Sequence, residues 1–479
     1  MKTRSLLLAV VAIALAAGGA WWWQQAGGQQ AVVSEALPPV PDLSAVPAVL
    51  RERVNAADAR ARSRLSAAKG LAELSRLYHS NGFLAEAIRC YVGLEQLAAA
   101  EPRWKHLHAT ILAGYGEIEP AVELWRTVLT LDPHYVPARL RLGDCELKAN
   151  HANEAAAAYS EVLRQSPTDA YALLGLARID LEASRWDQAR QRLEAVVRQT
   201  NFNLGYDLIV SLYERLGLHA QASAIRGSAK ASGAFRDPPD PWLDELLDVC
   251  FDPFRLALSA GVSARIGDPA TAIRLLHRAL ELAPDDVSNH FQLGLLHLAQ
   301  GDTKSAREQF ELCITLAPDF ADGWAQLSAL QAQAGEKSAA EKTLAKGLQA
   351  CPNSPGLHLM RARNLRQAGV PGEAITEFQN SIRFRPNEPD AYIELGQTYI
   401  ELGHEKEGIQ KIREALEADP GEPMALGVLA FYNISTNNET EAQFWLTKVA
   451  NQPRSDRNQV EQLKAAFQQQ FGRAFQPSI

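Results

Sequence analysis

The chain has 479 residues, 47% hydrophobic and 22% charged, with a formal net charge of −8. That length suits three ordinary domains or one long repeat array. The acidic balance gives no reason to expect nucleic acid as a partner, because phosphate binding needs a basic face, and it argues against general adhesion to anionic lipid.

Lys2 and Arg4 precede an apolar run from Leu6 to Trp23 that ends in Trp21, Trp22 and Trp23. This reads as an export signal. The next basic residue is Arg51, so the positive-inside rule keeps the N-terminus in the cytoplasm and sends the rest across. The run is just long enough to span hydrocarbon, and the tryptophans suit a membrane interface. Gly18-Gly19-Ala20 also offers a cleavage site, so a retained anchor over 6–23 and a cleaved signal both stay open. Either way the body is expected on the extracytoplasmic side, periplasmic or secreted. Residues 24–48, rich in Gln, Ala and Pro, read as an extended tether, with a leading helix before residue 68.

Prolines fall at 284, 318, 352, 386 and 420, an evenly spaced ladder. Pro133 and Pro167 are separated by the same interval, and Pro453 follows Pro420 by one position less. A ladder this regular marks an internal repeat. Between Pro284 and Pro318, Phe291, Leu295 and Leu298 recur at helical spacing; Gly301-Asp302 breaks the pattern, and Ala306, Phe310 and Cys313 resume it. Gly just past a helix suits a left-handed cap, Asp302 can cap the next helix, and proline closes the second. Each unit is therefore a helix–turn–helix.

The pattern resembles the tetratricopeptide repeat (TPR) family. The residues that carry the resemblance are Tyr392, Leu395-Gly396, Tyr399, Ala415 and Pro420 in one unit, and Leu293-Gly294, Ala306, Phe310 and Pro318 in another. Trp324, Leu327, Ala340, Leu344 and Pro352 repeat it, as do Ala374, Phe378 and Pro386, and Leu142-Gly143, Ala155, Tyr159 and Pro167. The resemblance implies an all-α, right-handed superhelical solenoid. About eleven units fit, in an N-terminal array over 68–236 and a C-terminal array over 253–455. The tenth unit carries Gly408 where Ala is usual. Over 456–479, Val460, Leu463, Phe467 and Phe471 share one face of a capping helix.

Residues 237–252 interrupt the ladder with Pro238, Pro239, Pro241 and six acids. Three readings stand side by side: a linker whose Trp242 and Leu246 pack on the flanking repeats, a docking insert led by Trp242 and Phe251, and a metal or basic-ligand site on Asp244 and Asp248. As the least repeat-like segment, it is where protein-specific function is expected.

No phosphate loop, dinucleotide fingerprint, zinc-protease motif or nucleophile elbow occurs, and nothing calls for a catalytic residue, a metal or another cofactor. Cys90, Cys145, Cys250, Cys313 and Cys351 are widely spaced without C-x-x-C, and read as buried thiols with one disulfide open to them after export. His106 and His108 lie two apart on a helix and point to different sides. His79, His297 and His404 read as structural or solvated.

The resemblance implies that the first helix of each unit lines a concave groove. It makes Tyr171, Leu174 and Arg178 lining residues of the fourth unit. In the seventh they are Phe291, Leu295 and Leu298, and in the eighth Ala325, Ala329 and Ala332. Leu359, Arg363 and Arg366 follow in the ninth, Ile393, Gln397 and Ile400 in the tenth, and Phe431 and Ile434 in the eleventh. Arg363 and Arg366, three apart on one face, are placed to grip a carboxylate. The expected partners are helices or extended segments of other proteins, with the membrane engaged through the N-terminal segment. The leading expectation is a non-catalytic scaffold or assembly factor. The alternatives are an accessory subunit of polysaccharide or envelope secretion, and a metal-dependent protein acting through the acidic insert.

Overall fold

Each repeat turns at the same point, and the backbone shows why. Just past the first helix, φ is positive at Gly82, Gly116, Gly217, Gly267, Gly301, Gly335, Gly369 and Gly403, between 72° and 88°. Asn150, Ser184 and Asn437 occupy the same place at φ 63°, 57° and 59°. A side chain is disfavoured there, so glycine dominates and asparagine follows. The ladder steps evenly, one repeat at a time, from Gly82 to Ser184 and again from Gly267 to Asn437. Only the step from Gly217 to Gly267 departs widely, being longer by about half a repeat.

The computed structural model describes residues 24, 26–226, 237–452 and 454–476. Among them every regular element is helical. The apolar run 6–23, and with it the expected signal or anchor, lies outside the described residues. No helix among the described residues is long and apolar enough to cross a membrane.

The chain forms two units, Met1–Pro284 and Asp285–Ile479. The first begins with helix α1 (26–36) and α2 (Ala48–Arg62). Five hairpins follow: α3 (Ala67–Ser80) with α4 (Leu84–Leu97), α5 (Pro102–Tyr115) with α6 (Ile118–Leu131), α7 (Val136–Lys148) with α8 (Ala152–Gln165), α9 (Ala170–Glu182) with α10 (Trp186–Gln199), and α11 (Asn203–Arg215) with α12 (His219–Arg226). The interruption supplies one short turn of helix, α13 (Pro241–Asp244), and a 3-10 turn (Glu245–Val249). A sixth hairpin, α14 (Pro253–Arg265) with α15 (Pro269–Leu282), closes the unit.

The second unit has five hairpins: α16 (Val287–Ala299) with α17 (Thr303–Leu316), α18 (Ala321–Gln333) with α19 (Lys337–Ala350), α20 (Pro355–Gln367) with α21 (Pro371–Phe384), α22 (Pro389–Glu401) with α23 (Glu405–Ala418), and α24 (Pro423–Ser435) with α25 (Glu439–Ala450). Helix α26 (Arg457–Phe471) ends it, burying Val460, Leu463 and Phe467 against Leu426, Leu446 and Val449.

Small residues set the helix spacing. A Cβ at Gly294 would lie 2.6 Å from the buried Phe310 ring, and one at Gly143 would lie 2.7 Å from that of Tyr159. Gly408 has a physical reason. Its added Cβ would meet the Gly396 carbonyl oxygen at 2.6 Å, and one on Gly396 would meet the Gly408 oxygen at 2.7 Å. Helices α22 and α23 thus touch backbone to backbone, and an alanine does not fit.

Two local expectations change. Part of the expected tether, 26–36, is a helix with Val33 fully buried; the Gly93 Cβ position lies 2.3 Å from Ala36, so the glycine opens the space that α1 fills. The Ala- and Gln-rich composition that suggested a tether favours helix equally well once an apolar stripe finds a partner. The five cysteines are all free, four of them buried and Cys351 partly so.

Candidate functional site

In the second unit the repeat lays equivalent first-helix residues in rows, each residue one repeat after the last. One row is Leu295, Ala329, Arg363, Gln397 and Phe431. Its ends and centre are open: Phe431 is 58% exposed and Leu295 37%, and Arg363 is exposed. The neighbouring row is turned into the protein. Ile393 is buried among Ile409, Ile412 and Leu429, which corrects its expected place in a partner surface. Phe291 is half-buried between Phe310 (5.8 Å) and Phe320 (5.1 Å), with Leu298 against the same cluster. Leu359 packs beside Phe378. Of the remaining lining candidates, Gln397 is half-exposed and Ile434 buried.

The arginine pair also has a different role. Arg363 donates to Glu394 on the next first helix at 2.7 Å and lies 3.8 Å from Asp390. Arg366 lies 4.0 Å from Glu394 and 3.9 Å from Glu401. The carboxylate they grip is the chain's own. Glu394 follows Arg363 by one repeat less a turn of helix, which puts it alongside.

In the first unit residues 237–251 run back along the first helices. The Tyr171 hydroxyl, on α9, donates to the Asp237 carbonyl oxygen at 3.4 Å. Arg141, on α7, lies 3.8 Å from the Asp237 carboxylate and donates to Asp240 at 3.3 Å. On α5, Arg103 pairs with Glu245 at 2.9 Å and sits 5.8 Å over the Trp242 ring. At the end of α3, the Asn81 side chain donates to the Val249 carbonyl (2.9 Å) and accepts from the Phe251 N–H (2.7 Å). Arg278, on α15, holds the far side through the carbonyls of Leu247 and Cys250. Of the two other lining candidates here, Leu174 is core, packed with Leu193 and Val196, and Arg178 faces Asp144 at 3.9 Å.

Asp240 is the centre of this contact, 3% exposed. It accepts from His106 Nε2 at 2.8 Å, from the Tyr135 hydroxyl at 2.6 Å and from Arg141. The indole N–H of Trp125 donates to His106 Nδ1 at 3.2 Å. Since an indole can only donate, Nδ1 accepts, and the His106 proton sits on Nε2 facing Asp240. Burial, the larger influence, holds the His106 pKa below its usual value against the pull of Asp240. Burial alone would raise Asp240, but the donors from His106, Tyr135 and Arg141 outweigh it and bring it down to about 2.

The Trp242 ring stacks on Tyr135 at 3.7 Å and 15° and meets His106 edge-on at 5.4 Å. Phe251 is buried with Leu50, Leu77 and Leu246, with Arg53 5.3 Å over its ring. Trp242 and Phe251 are thus not offered to solvent as a docking insert. Nor does Trp242 pack on the flanking hairpins; it reaches back to the second and third. Asp248 faces Arg274 at 3.3 Å, Asp244 is exposed, and among the described residues no cluster of three or more ligand-type side chains could hold a metal. Beside the insert, His79, Leu243, Leu246, Cys250, Phe254 and Leu258 line a cavity of about 510 Å³. His79 bonds the Tyr91 hydroxyl at 2.9 Å, and burial pushes its pKa down to about 4.

His106, Asn81, Arg103, Tyr135 and Arg141 were missed as a set by sequence reasoning. Their sequence separation from the insert, 134 residues for His106 and 168 for Asn81, leaves no local signal.

These repeated hairpins define a helical-repeat protein. Tetratricopeptide repeat models match residues 147–212 and 297–363, and 106–170, 264–319 and 359–423. The chain belongs to the tetratricopeptide repeat family, whose members bind other proteins or peptides. It is similar to cellulose synthase 1 operon protein C of Komagataeibacter xylinus, 32% identical over 114 residues, which is 23% of this chain but only 8% of that protein. Among solved structures, yeast Tom70 aligns at 14% identity over 85% of this chain and 97% of its own, with a TM-score of 0.41. The type IV pilus biogenesis factor PilW aligns at 16% identity over 39% of this chain and 86% of its own, with a TM-score of 0.35.

Proposed function

We propose that this protein is a non-catalytic assembly scaffold, held on the extracytoplasmic side of a membrane by residues 6–23, and that its second unit binds a segment of a partner protein along the row from Leu295 to Phe431. The observation that carries the binding reading is that row itself. Two large apolar side chains stand open at its ends, with the Arg363–Glu394 pair between them. A segment with apolar anchors at both ends and a polar middle fits it. The tethering rests on the basic start, the apolar run and the tryptophan belt of the sequence. A role as an accessory subunit of polysaccharide secretion is a second reading, favoured by the partial similarity to the cellulose synthase operon protein.

The test is site-specific photo-crosslinking of the full chain in native membranes, with the probe at Leu295, at Phe431 or, as a control, at Glu308 on the second helix of the same hairpin. Adducts with one partner from the first two sites, lost on Phe431→Asp, are expected. The same adducts from Glu308 alone would sink the row as the binding surface.

A further inference from the structure

The insert is extra chain relative to the repeat. The step from Gly217 to Gly267 exceeds every other step of the ladder by about half a repeat. That added chain does not stay beside its neighbours. It crosses the first helices of four hairpins in reverse order, from Tyr171 through Arg141 and Arg103 to Asn81.

The contacts are those of a receptor with a peptide. A buried three-donor socket of His106, Tyr135 and Arg141 takes one carboxylate. Two residues on, a slot between the Tyr135 face and the Arg103 guanidinium takes one aromatic ring. Farther along, Asn81 clamps a backbone carbonyl and a backbone N–H with its amide, a contact indifferent to side chain. Carboxylate and ring fix which peptide is accepted, because an unfilled socket would leave buried donors unpaired and a wrong residue would forfeit the stack.

We infer that this face of the first unit is a binding site for peptide segments carrying a carboxylate followed two positions later by an aromatic side chain, that residues 237–251 are its occupant in cis, and that a partner protein's segment of that chemistry competes with them. This site is separate from the second unit's row, and its failure would leave that row untouched. The covalent link sets a high threshold. An attached segment competes at an effective concentration of roughly millimolar or above, so only a tight or locally concentrated partner displaces it.

The experiment uses the full chain and a fluorescein-labelled synthetic peptide of residues 237–252, read by anisotropy. The native protein is compared with Asp240→Ala/Trp242→Ala, which empties socket and slot. The emptied variant is expected to bind the peptide at least about 100-fold more tightly than the native chain, because the cis competitor is gone. Adding Arg141→Ala to it, or changing the peptide's Asp240→Asn, should weaken binding at least about 10-fold, the cost of one charge-assisted contact. A folded emptied variant that ignores the peptide overturns the inference. So does an emptied variant that fails to fold, since the insert would then be core rather than occupant. Hydrogen exchange on the native chain gives an independent reading. The Asp244 and Phe251 amides, bonded to Asp240 and Asn81, should open while α5 and α7 stay protected. Opening only together with those helices counts against it.

Discussion

The two units are built from the same hairpin, and they use their first helices differently. In the first, the outward positions of α3, α5, α7 and α9 meet residues 237–251 through a buried carboxylate, a stacked indole and an asparagine clamp. In the second, the first-helix residues Leu295 and Phe431 stand in solvent, and the charged residues between them satisfy one another. Repeat geometry therefore offers a face, and the residues at a few first-helix positions decide whether the chain itself covers it. His106 occupies in α5 the position that holds Phe291 in α16, Leu359 in α20 and Ile393 in α22, and that exchange of an apolar for a polar side chain makes a carboxylate socket possible.

The largest effect that would sharpen this contrast is expected from Asp240→Ala. It removes the acceptor for three donors, and the first unit should lose about 3 kcal/mol in denaturant unfolding while the transition of the second stays where it was. The loss is capped by release of the insert, after which water reaches His106, Tyr135 and Arg141. An unchanged first transition would contradict the role given to the socket.

The converse break belongs to the second unit. Gly408→Ala should destabilise it by about 1–3 kcal/mol despite alanine's better helix propensity, because the new Cβ meets the Gly396 carbonyl oxygen. Thermal unfolding of the variant measures this; stabilisation would show that α22 and α23 can part without cost.

Acid should loosen the first unit before the second. Asp240 is held at about 2, below its ordinary 3.8, so its contribution is complete above pH 4 and is lost as pH falls toward 2. That contribution is about 2 kcal/mol, from the size of the shift. His106 is held below 6.5, and His79 at about 4, so both stay neutral in the fold, and their share of stability starts to fall below pH 6.5. All three act in one direction. The difference in fluorescence between the native chain and Trp242→Phe should track release of the stacked ring on acidification, and a pH-independent difference from pH 7 to 3 would refute it.

The smallest effect is Ser184→Gly. Ser184 stands with φ 57° where the repeat places glycine, so the substitution should stabilise the first unit by about 0.5–1 kcal/mol, measured as a raised melting temperature. A fall would mean that the serine side chain is needed at that turn.

The proline ladder and the Leu-Gly, Ala and Phe positions placed the hairpins and their buried pairs, because each helix contacts mainly its immediate neighbours and local periodicity encodes those contacts. The family resemblance made Leu295, Arg363 and Phe431 lining residues, and all three are exposed. Leu174 and Ile393 were misplaced because a groove-lining apolar residue and one that packs on the next helix share a spacing; only the neighbour's position separates them. Arg363 and Arg366 were legible as a pair but not as satisfied by Glu394, which required the next hairpin in place. The acidic insert was legible as an exception, and its proline and acid content announced something other than a repeat. Where it went was not. A contact between Asp240 and His106 closes a loop of 134 residues. Nothing in either segment's local pattern specifies the other, because such a pairing depends on the accumulated turn of three intervening hairpins. The sequence by itself determined the repeat, its turns and its buried pairs, since these rest on short-range packing. Only the tertiary structure decided that one face is filled by the chain and the other left open, since that rests on the path of the whole first array.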